Sequence, residues 1–197
     1  FEDSLRKRKT ETHYCFLLEN EKEMAQRSKS FLVNKKMIRM ENTDKDEFTK
    51  LAIFEYMIGN TDWEVQYLQN IKLISKDSSK APITIPYDFD HAGIVSAPYA
   101  LPAEELGISS VRDRLYRGYC LPDKKKFAQA IELFNRLKNN FYNVYTSCSL
   151  LNEKYIKATT RFLDDFYNTI NNEKKVEEEF GKPCRSKQRI VIKGLNE

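Results

Sequence analysis

A chain of 197 residues with 41% hydrophobic content, 12 Phe and 11 Tyr has the material for one substantial core, and only 6 Gly and 6 Pro exclude disorder over most of its length. Its 33 basic and 29 acidic residues leave a formal charge of +4, too small and too dispersed to indicate a nucleic-acid or membrane-surface partner. No run of 18 apolar residues exists, so no transmembrane segment is expected.

The first residues, Phe1-Glu2-Asp3, do not read as a signal peptide, and without an initial Met the chain is expected to be processed or truncated. Cys15, Cys120, Cys148 and Cys184 lie far apart, with no C-x-x-C pair and no cluster of histidines. A zinc site is therefore not expected, and buried free thiols are the first reading, although four cysteines also permit two disulfides.

In chain order, the basic run Arg6 to Lys9 reads as a solvated edge, and Tyr14-Cys-Phe-Leu-Leu18 has the length and composition of a strand. Glu21 to Arg27 can form a short helix, while Phe31 to Val33 and Met37 to Met40 are short strands or loop. From Asn42 the signals strengthen. Thr43 or Asp44 is a candidate N-cap with Glu47 placed for a capping box, and the residues from Phe48 to Ile58 are apolar almost all round. Such a helix belongs inside a domain, and Gly59 directly after it is a stop signal.

Ile71 to Ile74 and Ile83 to Ile85 are short β-prone runs joined by a polar segment, which predicts a hairpin. Asn70 precedes its first strand and Asp88 follows its second, so an antiparallel pairing makes them neighbours. Asp62, just beyond the buried helix, is within reach of both. Gly93, Pro98, Pro102 and Gly107 then break the chain into an ordered loop or single turns. Two amphipathic helices close the chain: one carries Phe127, Ile131, Phe134 and Leu137, the other Tyr155, Thr159, Phe162, Leu163, Phe166 and Ile170. A charged stretch around Glu177 to Glu179 and a late strand or disordered run at Arg189 to Ile192 complete the reading. Residues 1–197 are expected to form one domain, with a linker or edge-strand region at 1–41, a helical core at 42–180 and a flexible tail at 181–197. The fold class expected is α+β, predominantly α-helical, with the small β-hairpin at the site.

An Asp that accepts a hydroxyl proton, an Asn that ligates a metal and an Asp that bridges metal to phosphate oxygens are the parts of a phosphoryl-transfer site. Asp62, Asn70 and Asp88 supply them in order. Asp90 is a second acid on the same face as Asp88, with Phe89 between them on the other. Arg112, Arg114 and Arg117 are candidate phosphate contacts through their guanidinium forks, or partners of Asp113 and Glu104. His91 reads as a structural hydrogen-bond partner, and Trp63 and Tyr87 as packing.

The order Gly59-Asn-Thr-Asp62, Asn70-Ile-Lys-Leu and Tyr87-Asp-Phe-Asp90 resembles the catalytic and metal-binding loops of the protein-kinase-like superfamily. It is most similar to the divergent CotH and HipA kinases, and to a family of Bacteroidetes proteins, usually exported, with I-G-N-T-D-W and P-Y-D-F-D signatures. The resemblance implies a kinase-like C-terminal lobe acting as a phosphotransferase, with Mg²⁺ or Mn²⁺ and ATP as cofactors and a hydroxyl-bearing acceptor as partner. It places Asp62 as catalytic base, Asn70 and Asp88 as metal ligands, Asp90 as a second acid, and Tyr14 to Glu19 as the segment linking two lobes. The chain departs from the pattern in two ways. Asp62 and Asn70 stand eight residues apart where the kinase catalytic loop spaces them by five, which a looped-out insert would absorb. The residues before Tyr14 are also too few to form a glycine-rich lobe with a phosphate-binding lysine. A non-catalytic module with the same fold, or a metal-dependent hydrolase using the same acids on water, are the alternatives.

Overall fold

A computed structural model describes residue 15, residues 17–118 and residues 124–181. The architecture is α+β, with helices predominating over one small three-stranded antiparallel sheet. Helix α1 (Glu21–Arg27) starts on Asn20, whose side chain accepts from the Lys22 amide, and has Glu21 and Glu23 in its first turn and Arg27 in its last, as the helix dipole favours. Strand β1 is only Phe31–Leu32. The expected strand over Tyr14 to Leu18 differs. Tyr14 and Phe16 lie outside the described residues, whereas Cys15, Leu17 and Leu18 are not in a strand, and Leu17 and Leu18 face solvent. β-prone residues alone do not make a strand. Met37 to Met40 is likewise a turn leading into a single 3₁₀ turn, Met40–Asn42.

Helix α2 (Lys45–Ile58) is the centre of the molecule. Asp44 caps it by accepting from the Asp46 and Glu47 amides. The capping box is incomplete, because the Asp44 amide donates to Pro82 O (2.8 Å) and the Glu47 carboxylate pairs with Lys50 (2.8 Å). One cap thus also ties the helix start to the strand approaching from Pro82. Phe48, Leu51, Ala52, Ile53, Tyr56, Met57 and Ile58 are all buried, so α2 has no solvent face along most of its length. It ends at Gly59, whose φ of 69° is left-handed and whose amide returns to the Tyr56 carbonyl.

Strands β2 (Ile71–Ser75) and β3 (Ile83–Pro86) form the expected hairpin, with Ile71 opposite Pro86 and Ile74 opposite Ile83, and β1 pairs with the other edge of β2. Alternation along β2 sends Ile71 and Leu73 into the core. The residues from 87 to 118 carry no strand and only one 3₁₀ turn, Glu104–Leu106.

Helix α3 (Lys124–Arg136) buries Ala130 and Phe134, with Phe127 and Ile131 packed at the core margin. Helix α5 (Glu153–Ile170) buries Thr159, Phe162, Leu163, Phe166, Tyr167 and Ile170. Between them lies a helix without a counterpart in the periodicity, α4 (Lys138–Thr146), none of whose residues is fully buried. Its Asn- and Tyr-rich sequence has weak helix propensity. It forms because the hydrogen-bonding run continues through the bend, Leu137 N to Leu133 O and Phe141 N to Leu137 O, and because Phe141 stacks on Phe134 at 5.8 Å. Helix α6 (Glu173–Val176) leads into a π-turn, Glu177–Gly181, which buries Phe180 among Tyr56 (4.7 Å), Tyr116 (4.9 Å) and Phe127 (5.2 Å). The charged stretch read at Glu177 to Glu179 therefore carries a core anchor one residue later. Arg189 to Ile192, Cys120 and Cys184 lie outside the described residues, and Cys15 and Cys148 are free thiols but not buried ones as expected, Cys15 being exposed and Cys148 half-buried.

Behind α2 three backbones meet. The Gly93 amide donates to Gly59 O (3.0 Å) and the Ile94 amide to Ile58 O (2.9 Å). A Cβ on Gly59 would stand 2.9 Å from the Phe162 ring and 3.3 Å from Val111 O, and one on Gly93 would overlap the Val111 carbonyl. Gly59→Ala is expected to lower the unfolding free energy by about 1–3 kcal/mol, from a left-handed φ and a displaced ring. Gly93→Ala, which meets backbone and not a movable ring, is expected to cost more. Urea unfolding of the two variants measures this order; equal, negligible losses would contradict it.

Candidate functional site

The loop leaving α2 is shaped by side chains that satisfy its own backbone. Asn60 Oδ1 accepts from the Asp62 amide (3.0 Å), and the Trp63 indole donates to Asn60 O (3.3 Å). Trp63 is buried edge-on against Phe48 at 6.1 Å, under the Arg117 guanidinium. The packing role expected for Trp63 follows from this burial, and it fixes the direction in which Asp62 leaves the helix.

The eight-residue interval to Asn70 is a tight hairpin. Glu64 and Gln69 exchange both backbone hydrogen bonds at 3.0 Å, and the turn between them closes through Leu68 N to Val65 O. That returns Asn70 to Asp62. The Asn70 amide nitrogen donates to the main-chain carbonyl of Asp62 (2.8 Å) and to its carboxylate Oδ2 (3.0 Å), while Gln69 Nε2 donates to Oδ1. With its nitrogen turned to Asp62, Asn70 keeps its amide oxygen for another partner.

The main hairpin brings in the third group. Tyr87 N donates to Asn70 O (3.1 Å), and Asp88 follows with a φ of 59°. Asn70 is also left-handed, at 49°, as is Leu68 at 57°. Three non-glycine residues in that region within one loop cluster is the local strain that functional sites tend to hold, and Asn and Asp tolerate it best. Partial desolvation, then the neighbouring Asp90 and Asp62 carboxylates, raise the Asp88 carboxyl above its ordinary value, with the Asp90 backbone amide working the other way. Asp90 Oδ2 accepts from the Tyr99 hydroxyl (3.1 Å), and the His91 ring leans on Tyr99 at 5.8 Å. Asp62, Asn70, Asp88 and Asp90 are thus one constellation. Among the described residues no group of three or more His, Cys, Asp or Glu side chains is arranged to hold a metal ion. The residues that could hold a cation are a smaller set, the carboxylates of Asp88 and Asp90 with the amide oxygen of Asn70, the donor types that Mg²⁺ takes alongside waters or phosphate oxygens.

The three arginines lie behind the loop. Arg112 donates to Gly93 O (3.2 Å), Arg114 to Met57 O and Phe162 O, and Arg117 to Thr61 O (2.7 Å) and Trp63 O. Arg112 and Arg114 also stack on Phe162. Arg114 and Arg117 thereby engage the Met57 carbonyl near the end of α2 and the Thr61 and Trp63 carbonyls that flank Asp62, which makes them supports of the site's backbone. Of the pairings expected from sequence, Asp113 instead accepts from Ser109 and Ser110, and Arg117 pairs with buried Glu64 at 3.3 Å.

Sequence reasoning did not single out Gln69, Tyr99, Glu64 or Glu55. For Gln69 and Tyr99 no sequence signal exists, since their partners are set by loop geometry. Glu55 had one: it is a carboxylate inside a helix that is otherwise apolar all round. It is 1% exposed and neither of its oxygens completes a hydrogen bond, nor does Nδ2 of Asn60, which faces it. Burial pushes its carboxyl up to about 8, offset in part by Asn60 and by Arg117.

No family model matches the chain, and no curated protein or solved structure matches it at a significant level.

Because Glu55 binds its proton more tightly in the folded chain, at about 8, than in the unfolded one, near 4.5, its contribution favours folding fully below 4.5 and is lost as the pH rises to 8. The loss is on the order of 5 kcal/mol across that window. Glu55→Gln is expected to flatten the fall in stability between pH 5 and pH 8.5, as read by urea unfolding at each pH; an unchanged slope would show that Glu55 is charged when folded.

Proposed function

We propose that this chain carries the base and metal side of a phosphotransferase, built as a kinase-like C-terminal lobe, that moves a phosphoryl group from a nucleoside triphosphate to a hydroxyl-bearing acceptor. The observation that carries the reading is the Asn70 amide bound to both the carbonyl and the carboxylate of Asp62, beside an Asp88 whose carboxyl faces Asp62 and Asp90. Asp62 is oriented by two amide donors and is the group that takes the acceptor's hydroxyl proton. Asp88 stands within electrostatic reach of Asp90 and Asp62, and a cation held by Asp88, Asp90 and the Asn70 amide oxygen would relieve the repulsion among these acids. Mg²⁺ or Mn²⁺, which Asn70, Asp88 and Asp90 would hold, would supply neutralisation of those acids and of the charge on a nucleotide's phosphates.

A second reading, a binding module that has kept the fold without catalysis, is favoured by one feature: both oxygens of Asp62 already accept a hydrogen bond. The two readings differ in phosphoryl transfer, not in metal binding.

Trp63 is the only Trp in the chain and sits next to Asp62, so quenching of its fluorescence by Mn²⁺ reports on the site directly. Saturable quenching is expected in the full-length protein, weakened at least about tenfold by Asp88→Ala. With ATP present, Asp62→Ala is expected to abolish phosphoryl transfer while leaving Mn²⁺ affinity within about threefold. Absence of quenching, or an Asp88→Ala variant that binds as the wild type does, would end the metal-site reading. Metal binding without any nucleotide turnover would select the binding module.

A further inference from the structure

We propose that Glu55 is a proton-operated catch on the loop that carries Asp62: protonated, it leaves Asn60 and Arg117 to hold that loop, and ionised, it draws both towards itself and releases it. The inference stands on the loop's backbone and holds whatever the loop binds.

Glu55 sits in the last turn of α2, inside the core and 1% exposed. Neither of its carboxyl oxygens completes a hydrogen bond, and Nδ2 of Asn60, equally buried, has no partner either. The two residues are joined through the main chain, where the Asn60 amide donates to the Glu55 carbonyl (2.8 Å). A carboxylate at this position is desolvated and faces the negative end of the helix dipole, so both effects keep the proton on. With its carboxyl pushed up to about 8, Glu55 ionises after only a modest rise in pH.

The groups that act on Glu55 are the ones that shape the loop. Asn60 Oδ1 accepts from the Asp62 amide (3.0 Å), and Asn60 O accepts from the Trp63 indole (3.3 Å). Arg117, whose charge attracts Glu55, donates to Thr61 O and Trp63 O on either side of Asp62 and pairs with Glu64 at 3.3 Å. Among the described residues, the charges on other elements packed against α2 act elsewhere. Strand β3 has no titratable side chain, Lys126 of α3 pairs with Asp46 at the opposite end of α2, and Glu41 is exposed. Asp165 of α5 and Glu179 of the π-turn act on Arg114 and, for Glu179, on Tyr56.

A buried carboxylate needs donors. Those at hand are the Asn60 side chain and the Arg117 guanidinium, and each already has a task in the loop. Loss of the proton sets Glu55 against the Asp62 amide for Asn60, because the planar side-chain amide carries Oδ1 with it when Nδ2 turns. It also sets Glu55 against Glu64 and the Thr61 and Trp63 carbonyls for Arg117. Whichever donor moves, the brace on the Asp62 backbone weakens.

Trp63 is the only Trp in the chain, so its indole N–H gives a single resonance that reports on Asn60 directly. In the full-length protein, the indole and Asp62 amide resonances are expected to shift together as the pH rises, with a midpoint near 8, and the Glu55 carboxyl carbon to titrate with the same midpoint. Hydrogen exchange at the Asp62 amide, corrected for its intrinsic pH dependence, is expected to quicken at least about tenfold across that transition. Glu55→Gln keeps the shape and stays neutral, and is expected to hold both resonances and the exchange rate at their low-pH values. Resonances that still titrate in Glu55→Gln, resonances that stay fixed while the Glu55 carbon titrates, or a Glu55 carbon already ionised at about pH 6 overturn the catch. If Glu55→Gln does not fold, the wild type decides alone: coincident midpoints for the indole and the Glu55 carbon support the catch, and separate midpoints overturn it.

Discussion

The close approach of Gly59, Gly93 and the Val111 carbonyl is the constraint on which the rest depends. Three backbone segments distant in sequence meet there without side chains between them, joined by the Gly93 to Gly59 and Ile94 to Ile58 hydrogen bonds. Two consequences follow for the site. Asp62 leaves α2 along a direction set by a left-handed glycine, and the arc that begins at Asp90 is held against the same helix end. Acids twenty-eight positions apart in the chain, 62 and 90, are thus referred to one rigid point. Arg114 and Arg117 reinforce that point by donating to the Met57 carbonyl, which the end of α2 leaves open, and to the Thr61 and Trp63 carbonyls of the loop beyond it.

Electrostatics then divides the acids into two groups. Asp62, Asp88 and Asp90 stand at the front, where amide, hydroxyl and backbone donors orient them. Glu55 and Glu64 stand behind the loop, both near Arg117, with Glu64 paired and Glu55 buried with neither oxygen hydrogen-bonded. Burial pushes Glu55 towards its neutral form at ordinary pH, so the interior behind the site holds one ion pair and one protonated acid, not two competing carboxylates. The charge that remains uncompensated is at the front. In the proposed reading, these front acids are the ones a cation would neutralise.

Much of this was legible in the sequence where one local rule acts alone. The bounds of α1, the Asp44 cap, the stop at Gly59 and the register-ready runs of β2 and β3 each follow from residue type and short-range pattern. From the hairpin alone, Asn70 and the residues just beyond Pro86 had to be neighbours, and Tyr87 N does bond Asn70 O. The eight-residue step from Asp62 to Asn70 was harder, since the Glu64 and Gln69 pair that closes it carries no Asn-Gly or Asp-Gly turn signal. Helix α4 was missed because tertiary packing of Phe141 on Phe134 overrides weak propensity, and Leu17 and Leu18 misled because β-prone residues alone do not make a strand. The arginines showed the limit of residue type: a guanidinium fork suits phosphate and backbone carbonyl equally, and only the fold directs it.

The account turns on whether Asp88, Asp90 and Asn70 share one cation. An anomalous difference map from crystals of the protein grown with Mn²⁺ tests this most directly. A single peak is predicted within about 2.0–2.4 Å of a carboxylate oxygen of Asp88 and of Asp90 and of the Asn70 amide oxygen, with Asp62 beside it and outside the ligand set. No peak there, or one held by acids elsewhere on the chain, would contradict the account.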